Sequence, residues 1–191
     1  MGKKFNILFI VLAFIAGSAA VYIFFSDVPE KTLTIEPFDQ YIRVKQVAQD
    51  LKKSIVHLYF TDNNNFFLIS EKRSLLHPDN SAEFGKIILD ALIKGPQKGF
   101  VRTIPAGTAV RALYVTKDGT AFADFTEAVK ERHPGGIESE RITIYSIVNS
   151  LVLNIPDIDS VKILIEGCET TTLAGHIDLR SPFKANMLLV R

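Results

Sequence analysis

At 191 residues with a formal net charge of +1, the chain has room for one domain of ordinary size and an appendage. Its 22 basic and 21 acidic side chains nearly cancel, so it carries no electrostatic footprint for nucleic acid. A single cysteine rules out an internal disulfide framework, and the aromatic content, carried mainly by Phe, is enough for a real core in the C-terminal part of the chain.

Lys3 and Lys4 precede an uncharged run over residues 5–25, long enough to cross a bilayer as a helix. The expected layout is a cytoplasmic stub (1–4), a transmembrane signal-anchor (5–25), a juxtamembrane connector (26–53) and an extracytoplasmic domain (54–191). This describes a single-pass protein of the cell membrane, its domain periplasmic or at the cell surface. Ser18-Ala19-Ala20 offers a competing cleavage site for a signal peptide. The apolar run continues past it through Val21, Tyr22, Ile23, Phe24 and Phe25, which favours a retained anchor. Phe38, Tyr41, Ile42, Val47 and Leu51 approximate helical spacing in the connector, either as a tether or as a partner-binding helix.

In the domain, strands are expected at 55–60 and 66–70 around an Asn63-Asn64-Asn65 turn. Asn80 with Glu83 has the form of a capping box. Phe84, Ile87, Ile88, Ala91 and Leu92 then make a helix face, which Gly95-Pro96 ends. Residues 110–117 pair with 120–125 across Asp118-Gly119, a strong hairpin signal. Gly135-Gly136 frees the backbone, and Glu138 and Glu140 place acid where a helix N-terminus welcomes it. Ile144, Val148, Leu151, Val152 and Ile155 continue as one apolar face, closed by Asn154 and Pro156. A strand at 161–165, an extended piece at 171–177 and a tail at 182–191, packed back or mobile, complete the chain. The order β-β-α-β-β-α-β predicts an α+β domain in which a mixed sheet carries two principal helices on one face.

Several of these segments together resemble one known family. They are Arg102-Thr103-Ile104-Pro105-Ala106-Gly107-Thr108, the run Asp118-Gly119-Thr120-Ala121-Phe122-Ala123-Asp124-Phe125, and Gly135-Gly136-Ile137-Glu138-Ser139-Glu140. Ile147-Val148-Asn149-Ser150-Leu151, residues 161–167 and Leu173-Ala174-Gly175-His176-Ile177-Asp178 follow in order. The pattern is similar to the GerMN domain, one copy over roughly 54–183, with its DG hairpin, GGS-x-x-E-like loop and IVNTL-like helix. Phe125 and Thr126 depart from a frequent Leu-Ser, and Glu138 stands near a common Ser. The resemblance implies a non-catalytic interaction module, similar in fold to ring-building modules of sporulation and of secretion-type channels. Asp118, Gly119, Asp124, Gly135, Gly136, Glu138, Glu140 and Asn149 are the motif residues it singles out.

Chemistry has few candidates. His133, Glu138 and Glu140 lie near one another and could move protons; without a nucleophile they read better as a solvated loop and helix-terminal charges. His176 and Asp178, two apart on an expected strand, would share a face, yet two ligands are too few for a metal site. Cys168, after Gly167, reads as a partly buried small residue. No catalytic, cofactor-binding or metal-ligating set is therefore assigned. Expected partners are the membrane, other copies or envelope proteins, with no nucleic acid. A cell-wall glycan or peptide in a groove beside Gly135-Gly136 is the alternative, and an envelope hydrolase using His133 or Glu138 the weakest.

Overall fold

The computed structural model of the chain describes residues 52–62 and 67–191, all within the compact unit Val47–Arg191. The stub, the anchor run 5–25, nearly all of the connector and the turn at 63–65 lie outside the described residues. Among the described residues no helix is long and apolar enough to cross a membrane.

The described residues fold as α+β, with nine regular elements among them before a final 3-10 turn. Strands β1 (Lys53–Thr61) and β2 (Leu68–Leu76) pair antiparallel, followed by α1 (Ser81–Lys94). Strands β3 (Val110–Val115) and β4 (Thr120–Phe125) form the Asp118-Gly119 hairpin, with Gly119 at φ 77. A one-turn α2 (Ala128–Glu131) precedes α3 (Ile137–Val152). Strand β5 (Ser160–Ile165) lies parallel to β4, β6 (Cys168–Glu169) folds back on β5, and the 3-10 turn spans Met187–Leu189.

The single mixed sheet expected from the strand order is two sheets, β1-β2 and β3-β4-β5-β6, and the second is mixed. The reason lies at the free edge of β1. The His57 N–H donates to Asn154 Oδ1 (2.8 Å) and the Tyr59 N–H to Ser150 Oγ (3.1 Å). Side chains from α3 and its C-terminal turn thus take the donors that a neighbouring strand would need. Nor do the helices sit on one face of one sheet, for α1 and α3 each touch strands of both.

Local signals hold where the chemistry is local. Asn80 caps α1, its Oδ1 accepting from the Glu83 N–H, and Gly95 closes the helix at φ 93. Phe84, Ile88, Ala91 and Leu92 are buried as the face requires, with Leu89 added and Ile87 only half-buried. Gly85 brings α1 close to β3, since a Cβ there would meet Leu113 Cδ2 at 2.3 Å. Phe60, Phe84, Phe125, Ile144, Leu151 and Ile163 belong to the main core. A second cluster joins Tyr59, Leu68, Ile142 and Leu189, so the C-terminal tail packs back onto β1-β2.

The extended piece expected at 171–177 is not a strand. Only the bridge Thr172↔Asp178 forms there, because three N–H groups of this loop turn inward to a carboxylate described below. Lys130 and Glu131 lie within α2.

Candidate functional site

Helix α3 starts from Gly135 (φ 80) and Gly136 (φ 85, ψ 143), which turn the chain into the helix without a side-chain cap. Its apolar positions build the core as the periodicity implies. The less expected feature is how many polar side chains it buries: Glu140, Thr143, Ser146, Asn149 and Ser150.

Each has a partner. The carboxylate of Glu140, fully buried, accepts from the N–H groups of Leu173 (2.8 Å), Ala174 (2.9 Å) and His176 (2.9 Å). Burial alone would push its pKa up. The backbone donors of Ala174, His176, Leu173 and Ile177 outweigh that and hold it below the ordinary value. Thr143 donates to the Thr103 carbonyl (2.6 Å) and Ser146 to the Thr143 carbonyl (2.9 Å). Asn149 holds Asn186 of the tail in both directions, donating to its carbonyl (3.1 Å) and accepting from its N–H (2.9 Å). Ser150 and Asn154 hold β1. One helix therefore ties together the 103 segment, β1, the 173–176 loop and the tail.

The sequence-derived residues fall into separate places. Glu138 is exposed and pairs with Arg141 one turn on. Glu140 lies in the first turn of α3 as expected, but its oxygens are enclosed by a loop brought from more than thirty residues away. His133 contacts Thr143 through Nε2 (3.0 Å). Burial holds its pKa below the ordinary value, against the charge of Glu140. His176 Nδ1 lies 3.3 Å from Glu140 Oε2, whereas Asp178 forks onto Arg180, which drops its pKa to about 2. The shared strand face expected for His176 and Asp178 does not exist.

Asp124, next to last in β4, has its Oδ1 accepting from the Gly167 N–H (2.8 Å). Arg111 spans Asp124 (3.4 Å) and Glu166 (3.2 Å). Glu166 takes φ 52, so this trio fixes the β5-β6 turn in a left-handed conformation. Asp118 accepts from Thr120 Oγ1 within its own hairpin (2.9 Å). The Thr116 and Thr120 hydroxyls lower its pKa. Cys168 is exposed and not partly buried, because β6 leaves the sheet edge after only two residues.

The described residues line at least two concavities. A cleft of about 210 Å³ beside Pro134 and Ser139 is bordered by Thr103, Pro105, Ile142 and Thr143, with no aromatic side chain among its described lining residues. An open depression of about 700 Å³ gathers Asp79, Asp118, Asp157 and Asp159 around Lys117. Among the described residues no group of three or more His, Cys, Asp or Glu side chains could hold a metal ion.

The buried polar stripe was missed in the sequence, although its signal is there. Glu140, Thr143, Ser146 and Asn149 recur every third residue, which places them along one side of a helix.

Residues 57–171 match the family model described as Germane, sporulation and spore germination. The tandem GerMN domains of the sporulation protein GerM from Bacillus subtilis share the fold, at 24% identity and a TM-score of 0.54. That match covers 70% of this chain and 46% of the tandem, so the chain spans less than half of that protein's length. The first GerMN domain of the same Bacillus subtilis protein matches at 27% identity and a TM-score of 0.53, covering 69% of this chain and 97% of that domain. No curated protein matches the chain.

Proposed function

The chain belongs to the Germane family, and from that premise we propose that it is a non-catalytic assembly module of the cell envelope. Its N-terminal segment anchors it in the membrane, and its domain meets other copies or other envelope proteins outside the cytoplasm. The observation that carries this reading is the use made of the polar residues. Glu140, Asn149, Asp124 and Asn154, which chemistry would need free, are committed to backbone groups of distant segments. A carboxylate that accepts three backbone N–H bonds in a closed site has little capacity left to carry a proton to a substrate.

The cell-wall ligand reading draws on the cleft beside Pro134. Among the described residues its lining supplies no aromatic platform on which a sugar ring could stack.

The test pairs two assays on the tagged full-length chain. Crosslinking in intact envelopes should recover the chain joined to itself or to membrane and envelope proteins. The purified chain should release no fragments from cell wall. Release that is abolished by Glu138→Gln together with Glu140→Gln would replace the assembly reading with that of a hydrolase.

A further inference from the structure

The β1-β2 hairpin has two faces with different fates. Val56, Leu58 and Phe60 enter the main core. On the opposite face, Tyr59 and Leu68 lie under Leu189, Val190 and Ile142, so the tail covers half of it. The other half is exposed apart from His57, which is half-buried. By the strand register its three rows are Lys53 opposite Leu76, Ile55 opposite Ser74, and His57 opposite Lys72.

This half-face combines apolar and basic groups and contains no acid. Ile55 is 71% exposed and Leu76 38% exposed, so two large aliphatic side chains meet solvent on one half-face. Lys53 and Lys72 are exposed, and among the described residues neither pairs with a carboxylate. Chain entry is also on this side, since Lys53 opens the first strand.

We propose that this half-face docks the domain on an anionic phospholipid surface, with Ile55 and Leu76 entering the interface and Lys53 and Lys72 meeting the headgroups. Aliphatic side chains flanked by lysines suit the boundary between headgroups and acyl chains, where the long lysine stems also lie along apolar surface. A second copy fits less well. A two-fold contact through this patch would set its lysines against themselves, with no acid to receive them. The inference rests on the membrane-anchored reading above.

The test uses the full chain with Cys168→Ser and Ser74→Cys, a fluorophore on the introduced thiol, and vesicles carrying a headgroup nitroxide quencher. Vesicles are phosphatidylcholine alone or mixed with phosphatidylglycerol. Quenching should be strong only in the anionic vesicles and should fade with added salt. Each lysine near such a surface changes the docked-to-undocked ratio about fivefold, so Lys53→Gln with Lys72→Gln should reduce it about 25-fold. Ile55→Ser should also reduce it. Unchanged thermal melting of the surface variants keeps the comparison clean. Equal quenching in neutral and anionic vesicles overturns the proposal, as does quenching that the lysine pair does not alter. So does lipid-independent crosslinking between position-74 labels, which would assign the face to a second copy. A chain that fails to float with neutral vesicles would remove the anchor reading instead. Flotation with anionic vesicles, read across the same variants, then measures docking directly.

Discussion

The side-chain amide of Asn149 and the backbone of Asn186 face each other as complementary pairs. The amide donates to the Asn186 carbonyl at 3.1 Å and accepts from its N–H at 2.9 Å. Asn149 is wholly buried, while Asn186 is half-buried, so the bonds are partly shielded from water. They hold the tail where Leu189 can fill the second core cluster and the Arg191 N–H can reach the Leu68 carbonyl (2.9 Å).

Asn149→Leu should therefore destabilise the domain by about 1–3 kcal/mol, the cost of leaving buried backbone groups unpaired. The loss should be local first. Hydrogen exchange at Leu188, Val190 and Arg191 should rise more than exchange in β4 or β5. Uniform exchange across the chain would mean that the tail is held by its apolar contacts alone.

Glu140 gives a pH dependence with a defined sign. Its folded pKa lies below the ordinary carboxyl value, so the stabilisation is complete above the unfolded value of about 4.3. It is lost as pH falls through the folded value. Glu71 behaves alike: burial raises it, and the Lys98 N–H, the Arg73 side chain and the Gln97 N–H bring it below normal. Through these two carboxylates thermal melting should fall on acidification below about pH 4.3, after a first loss below about pH 6.5 from His133, whose pKa is lowered by burial. Glu140→Gln should lower stability at pH 7 by about 1–3 kcal/mol and flatten the acid slope. A variant with the parent's acid slope would remove Glu140 from this account.

Gly136 lies at φ 85 and ψ 143, a region that side chains avoid, while nothing surrounds a Cβ built there. Gly136→Val should cost about 1–3 kcal/mol through backbone strain and not through collision. Gly99 is equally open but lacks a positive φ, so Gly99→Ala should remain within about 0.5 kcal/mol of the parent. Equal melting of both variants would show that the glycine pair serves flexibility alone.

Gly85 is the opposite case, limited by space. A methyl group there would lie 2.3 Å from Leu113 Cδ2 and 3.3 Å from both Ile155 Cδ1 and Leu151 Cδ2. Alanine is the better helix former, by about 0.8–1.0 kcal/mol in an open helix. Overpacking, at about 1–3 kcal/mol, should nevertheless prevail and leave Gly85→Ala less stable by up to about 2 kcal/mol net. Gly85→Ala combined with Leu113→Val should recover part of the loss in denaturant unfolding.

Cys168 is exposed. Ellman's reagent should titrate one thiol in the native protein at a rate close to that in denaturant. Strong protection would indicate that another chain or segment covers β6.

By itself the sequence determined the features whose causes span a few residues. Asn80 and Gly95 bound α1, Asp118-Gly119 turns the hairpin, and Gly135-Gly136 admits the chain into α3, since capping and positive φ depend on the residue and its neighbours. The family pattern was legible for the same reason, being a series of such local motifs in a fixed order. Tertiary structure decided what the polar residues do. Whether Glu140 faces water or the N–H groups of Leu173, Ala174 and His176 depends on a loop thirty-odd residues further along the chain. Whether β1 joins a larger sheet depends on Ser150 and Asn154 arriving at its edge from α3 and the turn after it. Hydrophobic periodicity reports which face of an element is buried. It does not report which distant backbone will supply hydrogen bonds to a polar group on that face, because that partner is fixed only when the chain has closed on itself.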